Sequence, residues 1–184
     1  MRPVAIGLQA ALMLARGRAE GLSMLGSPPD QAGVARRSFW AVAVCLPAFV
    51  CLHLLDQKAA GAAVSSARAF AADLGGFVIG WLVFALVSHR VAKVLGRGEH
   101  WLRFITLWNW CNVVQYVMLV VAALPGLLGL PEVIGQTAWL VALGWALWLE
   151  WFMTGLALSV PAPMAAALVI LDVGIGLLVA AVTG

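Results

Sequence analysis

Along the chain, uninterrupted apolar runs alternate with short breaks of polar, proline and glycine residues. Five of the runs are long enough to cross a hydrocarbon core as helices, a task that takes about 20 residues. They lie at about 39–56, 69–89, 101–124, 134–159 and 164–182. Gly96 and Gly98 separate the second run from the third, Pro125, Gly126, Gly129 and Pro131 the third from the fourth, and Pro161 with Pro163 the fourth from the fifth. The first break, QKAAGAAVSSAR after Asp56, has the weakest punctuation. A shorter apolar stretch over about 3–15 precedes the five runs, with Arg16, Arg18 and Glu20 directly behind it and no small-residue cleavage site. Val4, Leu8, Leu12, Ala15, Ala19 and Leu22 recur there at helical spacing, which predicts an amphipathic helix along the membrane face, ended by Pro28 and Pro29. The pattern divides the chain into an N-terminal segment over 1–35 and an all-α, polytopic transmembrane helical bundle over 36–184.

Composition agrees with lipid as the solvent. Of the 184 residues 64% are hydrophobic and 10% charged, too few charges to cover a water-facing surface, where about 25% is usual. The net charge of +3 does not point to nucleic acid, because its carriers are scattered between apolar spans. Their placement reads as topology. Arg2, Arg16, Arg18, Arg36 and Arg37 precede the first span, and Arg90, Lys93, Arg97 and Arg103 lie around the break between the second and third. Only Lys58 and Arg68 fall on the other side. Basic residues near span ends are retained in the cytoplasm, so the expected orientation has the N-terminus cytoplasmic and the C-terminus outside. The Ala-, Gly- and Trp-rich makeup suggests a bacterial inner membrane, with the C-terminus periplasmic. Cys45, Cys51 and Cys111 fall inside spans, where they act as small apolar side chains.

Ionisable groups within hydrocarbon are costly and mark candidate sites. Glu150 in the fourth span and Asp172 in the fifth are such groups, and the third span adds Asn109, Asn112, Gln115 and Tyr116. Counted from the cytoplasmic ends at ~1.5 Å per residue, Asn112, Glu150 and Asp172 all lie roughly 12–17 Å deep, near one level. Asn109, Asn112 and Tyr116 share a helical face and would offer the acids amide and hydroxyl partners. Two readings apply: an ion- or proton-binding cluster used in transport, or interhelical polar contacts with one or both carboxyls protonated. With two acids and no Lys or Arg inside a span to complete a relay, the sequence favours the structural reading.

His53, Asp56 and Asp73 form a second polar group toward the outer face. His53 and Asp56 stand three apart on one helix, as metal ligands do, but without a recognisable motif they read as side chains reaching the headgroups. Ala72, Gly76 and Gly80 repeat every fourth residue, a stripe that lets another helix approach closely, most simply one of the same chain. Trp40 and Trp101 suit an interfacial belt, while Trp145, Trp148 and Trp151 follow helical spacing around Glu150. His89 and His100, with Arg90, Lys93, Arg97 and Arg103, are placed to meet anionic headgroups. There is no phosphate-cradling glycine loop, HExxH helix, GxSxG elbow or CxxC pair, so an enzyme is disfavoured and nothing implies a cofactor or metal.

Five spans with short loops, a cytoplasmic N-terminal segment and an external C-terminus resemble the Yip1-type family of small membrane proteins over roughly residues 36–183. Asp73-Leu74-Gly75 in AADLGGF is all this chain offers of the DLYGP-type motif of the family's eukaryotic branch, so no functional residue carries over. The resemblance implies a membrane-organising or trafficking-related adaptor without catalytic activity. The sequence therefore gives first place to a non-enzymatic protein acting through contacts with lipid, a homo-oligomeric copy or a membrane partner protein. A small proton- or ion-coupled transporter or channel subunit using Glu150 and Asp172 comes second, and an accessory subunit of a larger membrane complex third.

Overall fold

The computed structural model describes residues 2–26, 30–59 and 67–183, and within these all regular structure is helical. The elements are α1 (Arg2–Leu14), a 3₁₀ segment (Ala19–Leu25), α2 (Gln31–Ser38), α3 (Trp40–Ala59), α4 (Ala67–Val94), a 3₁₀ turn (Gly98–His100), α5 (Trp101–Leu127), α6 (Glu132–Leu158) and α7 (Ala162–Thr183). Among the described residues, five stretches are long and apolar enough to cross a bilayer: Gln31–Lys58, Ala67–Val94, Gly98–Leu127, Glu132–Leu158 and Ala162–Thr183. At ~1.5 Å per residue even the shortest reaches about 33 Å, against a hydrocarbon core of about 30 Å. The chain is an integral membrane protein, an all-α bundle in contact with lipid. Pro28, Pro29 and most of the first break lie outside the described residues.

The helices outrun the apolar runs because backbone groups in lipid have no water to bond, so helical turns continue past the last apolar residue. Pro125 and Gly126 fall within the last turns of α5 rather than after it. A proline there removes a single backbone hydrogen bond, and the reversal comes at Gly129, which takes a φ of +67°. The first span is two helices, α2 and α3, meeting at Phe39. Ser38 Oγ turns back to donate to the Ala35 carbonyl oxygen at 2.7 Å, a bond that competes with the helical ladder and favours a break.

α5 occupies the middle of the bundle and packs against α1, α2, α3 and α6, while α7 rests on α4 and α6. Between α4 and α5 the backbones stay apart because large rings fill the space. Phe84 packs on Phe104 and Trp108 with centroid separations of 6.2 and 4.6 Å, and Trp81 meets Trp108 at 5.2 Å. The fully buried Phe84, Phe104, Leu107, Leu149 and Met153 belong to one core that extends to Leu14 and Ala35.

That extension shows how the N-terminal helix is held. Helix α1 docks on α5, and its buried stripe is Gly7, Ala10, Ala11 and Leu14, with Val4 and Leu12 exposed. Small residues form the docking face because they let two helices approach closely. Gly7 lies directly beneath the Trp110 indole, where any side chain would collide. A stripe of Gly and Ala is nearly invisible to hydrophobic periodicity; of the residues at helical spacing, Leu8, Ala15 and Leu22 pack against the core while Val4 and Leu12 face outward.

Candidate functional site

Helices α3, α4, α5 and α7 line an open cavity of about 440 Å³. It exists because α3 and α4 meet through rings rather than close backbones, with Phe49 against Phe77 at 4.7 Å, and because Gly76, Gly80 and Gly176 leave its walls thin. One end carries His53 and Asp73, the other Trp108, Asn112 and Asp172, with Tyr116, Phe77 and Trp81 between them. His53 and Asp73 of the outer polar group and Asn112, Tyr116 and Asp172 of the mid-span group, which the sequence presents as separate, thus line one cavity.

At the deep end the acids of α6 and α7 come together. Trp108 Nε1 donates to Asp172 Oδ2 at 3.1 Å, and the Glu150 carboxyl lies near enough to Asp172 to feel its charge. Glu150 is buried behind Asp172, its Oε1 lacking a partner among the described protein atoms, as does the hydroxyl of Thr154 one turn further along α6. The sequence counts Glu150 and Asp172 to one depth, and in the bundle Glu150 feels the charge of Asp172. Their organic partner differs from the expectation: the Trp108 indole fills the role that the amides and the tyrosine were expected to play.

Those side chains have other tasks. Asn109, fully buried, accepts from Trp81 Nε1 at 2.6 Å and donates through Nδ2 to Ser38 Oγ at 2.7 Å, tying α2, α4 and α5 together. Asn112 Nδ2 donates to the Trp108 carbonyl oxygen at 2.9 Å, and its side chain edges the cavity. Gln115 reaches the Ala146 carbonyl oxygen on α6 at 2.8 Å. Tyr116 lies edge-on to Phe77 at 5.8 Å and lines the cavity between its two polar ends. Sharing a helical face is thus not sharing partners, because neighbouring helices divide that face between them.

At the other end His53 Nδ1 lies 3.6 Å from Asp73 Oδ2, and Gln57 contacts the other ring nitrogen. Phe49 and Phe70 flank the imidazole. Asp56 points away and is exposed on a different face, beside Lys58 and Trp139. No three His, Cys, Asp or Glu side chains gather as metal ligands among the described residues.

The small-residue stripe divides as well. A Cβ on Gly76 would sit 2.8 Å from Thr183 Oγ1 and 3.4 Å from Val179 Cγ1, so Gly76 is where α7 closes on α4. Gly80 has open space in front of it and borders the cavity. At the basic end, Arg103 turns inward and donates through Nε and Nη2 to the Ala157 carbonyl oxygen at 3.3 and 2.8 Å, capping the end of α6 where the helix dipole favours a cation. His89 packs on Trp101 at 4.6 Å, whose Nε1 donates to Ser88 Oγ at 3.1 Å. Trp148 stacks on Phe152 at 5.4 Å and Trp151 donates to the Ala162 carbonyl oxygen at 3.1 Å, on the opposite side of α6 from the buried Glu150.

Trp108 and Trp81 are the functional-site residues that sequence reasoning missed. The available signal was the need of a buried indole N–H for an acceptor, applied to a tryptophan set beside the two asparagines in WNWCN. No protein family, curated protein or solved structure matches this chain.

Proposed function

We propose that this protein binds and exchanges a cation and a proton within the membrane, using the cavity and the Glu150–Asp172 pair at its deep end. The observation that carries the reading is that Asp172 is at once a wall of the cavity and the partner of the buried Glu150. Two ionised carboxylates set close together in a low-dielectric surrounding repel each other, which favours a shared proton on the pair. With both protonated the pair is neutral. Exchange of one proton for one monovalent cation at Asp172 leaves the net charge of the pocket unchanged, which avoids the large cost of an uncompensated charge in hydrocarbon.

In the orientation that places nine of the eleven basic residues in the cytoplasm, the His53–Asp73 end of the cavity faces outward and the acid pair lies in the inner half of the membrane. This raises the transport reading above the adaptor reading that the sequence and the Yip1-like layout put first. Contact-based function through the glycine stripe loses support, since Gly76 is occupied by α7 of the same chain.

The test is proton movement in sealed liposomes containing the full chain and an internal pH dye, driven by an imposed cation gradient. Wild type is expected to move protons against the cation, and the Glu150→Gln, Asp172→Asn double variant, checked for folding by circular dichroism and gel filtration, is expected not to. Equal rates in the two, or no movement by folded wild type with any cation tried, would return first place to the adaptor reading.

A further inference from the structure

We infer that the cation taken by the cavity is organic: a small ammonium with an apolar or aromatic body, seated with its charge at Asp172 and its body along the ring wall toward Asp73. This rests on the cation-exchange reading above and names its substrate class.

The cavity is far larger than a single dehydrated metal or alkali ion requires. Its volume of about 440 Å³ falls within the range of about 300–1,000 Å³ that holds small organic ligands. An inorganic cation in a dry site also needs several oxygen ligands to replace its hydration shell. Beside Asp172 the cavity lining offers the rings of Trp108, Trp81 and Tyr116 and a single amide, Asn112, while Glu150 is buried outside the lining, and no ligand triad gathers anywhere among the described residues.

The walls supply what an organic cation needs. Phe77 lies 5.4 Å from Trp81, Trp81 5.2 Å from Trp108 and Phe77 5.8 Å from Tyr116, so the rings form a continuous surface from α4 to α5. The Trp108 ring is pinned edge-on to the carboxylate by its own N–H, so Asp172 supplies the negative charge, while Phe77 and Tyr116, less deeply buried along the wall, offer ring surface to the ammonium and its body. The cavity lining includes the acids Asp73 and Asp172 and no Lys or Arg, so an anion of the same shape would find no counter-charge. Gly80, with open space in front of it, makes room for the body of the ligand.

The experiment is equilibrium binding of benzyltrimethylammonium to the full chain in nanodiscs by isothermal titration calorimetry, with neopentylbenzene as the neutral analogue of equal shape and empty nanodiscs as the blank. Wild type is expected to bind the ammonium at least about tenfold more tightly than the neutral compound, since a cation over an aromatic face beside a carboxylate gains at least that much. Asp172→Asn should lose that preference, while Asp56→Asn, outside the cavity, should keep it. Gly80→Leu, which fills the cavity without touching the acids, should abolish binding and serves as the second variant if Asp172→Asn does not fold. Equal binding of the charged and neutral compounds, or ammonium binding that survives Gly80→Leu, overturns the inference. Proton exchange with sodium or potassium in liposomes, together with no binding of benzyltrimethylammonium, overturns the organic-cation inference and leaves the exchange reading standing. Absence of both removes both.

Discussion

Asn109 is the tie whose loss should be felt most widely, because its one amide serves three helices. Its Oδ1 accepts from Trp81 Nε1 on α4 at 2.6 Å, its Nδ2 donates to Ser38 Oγ at the end of α2 at 2.7 Å, and the residue itself belongs to α5 and is fully buried. Asn109→Ala removes two interhelical bonds. Bonds of this kind in membrane proteins are worth about 0.6 kcal/mol on average, with a maximum near 1.7. The variant also orphans the Trp81 N–H among the rings of Phe77 and Trp108, a penalty of about 1–3 kcal/mol. Ser38 suffers less, since its hydroxyl still donates to the Ala35 carbonyl oxygen. The expected total is about 2–4 kcal/mol. Trp81→Phe removes the donor while keeping an aromatic ring, and should cost about 1 kcal/mol. The double variant should cost less than the sum, by about 1–2 kcal/mol, because once the indole N–H is gone Asn109→Ala no longer orphans it. Reversible unfolding by sodium dodecyl sulfate in bicelles, followed by circular dichroism, gives all four corners of the cycle. A coupling of less than about 0.3 kcal/mol would refute the assignment of the bond as a mutual constraint.

Two further substitutions test the packing. Gly7→Val should destabilise by about 1–3 kcal/mol by driving a side chain into the Trp110 indole, whereas Gly144→Ala, with open space around its Cβ, should be neutral or slightly stabilising. Equal thermal stability of the two in nanodiscs would count against α1 being docked on α5. Gly76→Leu should destabilise the α4–α7 contact, where its side chain meets Thr183 and Val179, at unchanged detergent-solubilised mass. A shift in mass by light scattering would move the stripe from an internal to an intermolecular contact.

The number and order of spans were legible in the sequence because lipid imposes a constraint that acts on each segment alone: every backbone group must be bonded within its own helix and every helix must be apolar over its crossing. The five runs and their mutual breaks follow from that rule without knowledge of any neighbour. Depth was legible for the same reason, since it is counted along one helix axis, and it placed Glu150 and Asp172 at a common level. Rotation about the axis was not. Which face of α5 meets which neighbour decides that Asn109 serves Ser38 and Trp81, that Gln115 serves Ala146, and that Trp108 serves Asp172. The lipid around the bundle is as apolar as its core, so hydrophobicity does not distinguish an inward face from an outward one. The close approach of α1 to α5 at Gly7, Ala10 and Ala11 went unseen because contact there depends on the absence of side-chain volume, whereas the helix itself was legible in its spacing. The cavity joining His53 and Asp73 to Asp172 is likewise a property of tertiary structure alone. It is the space left where rings hold α4 away from α3 and α5 and glycines thin the walls, and an empty volume belongs to no single residue of the sequence.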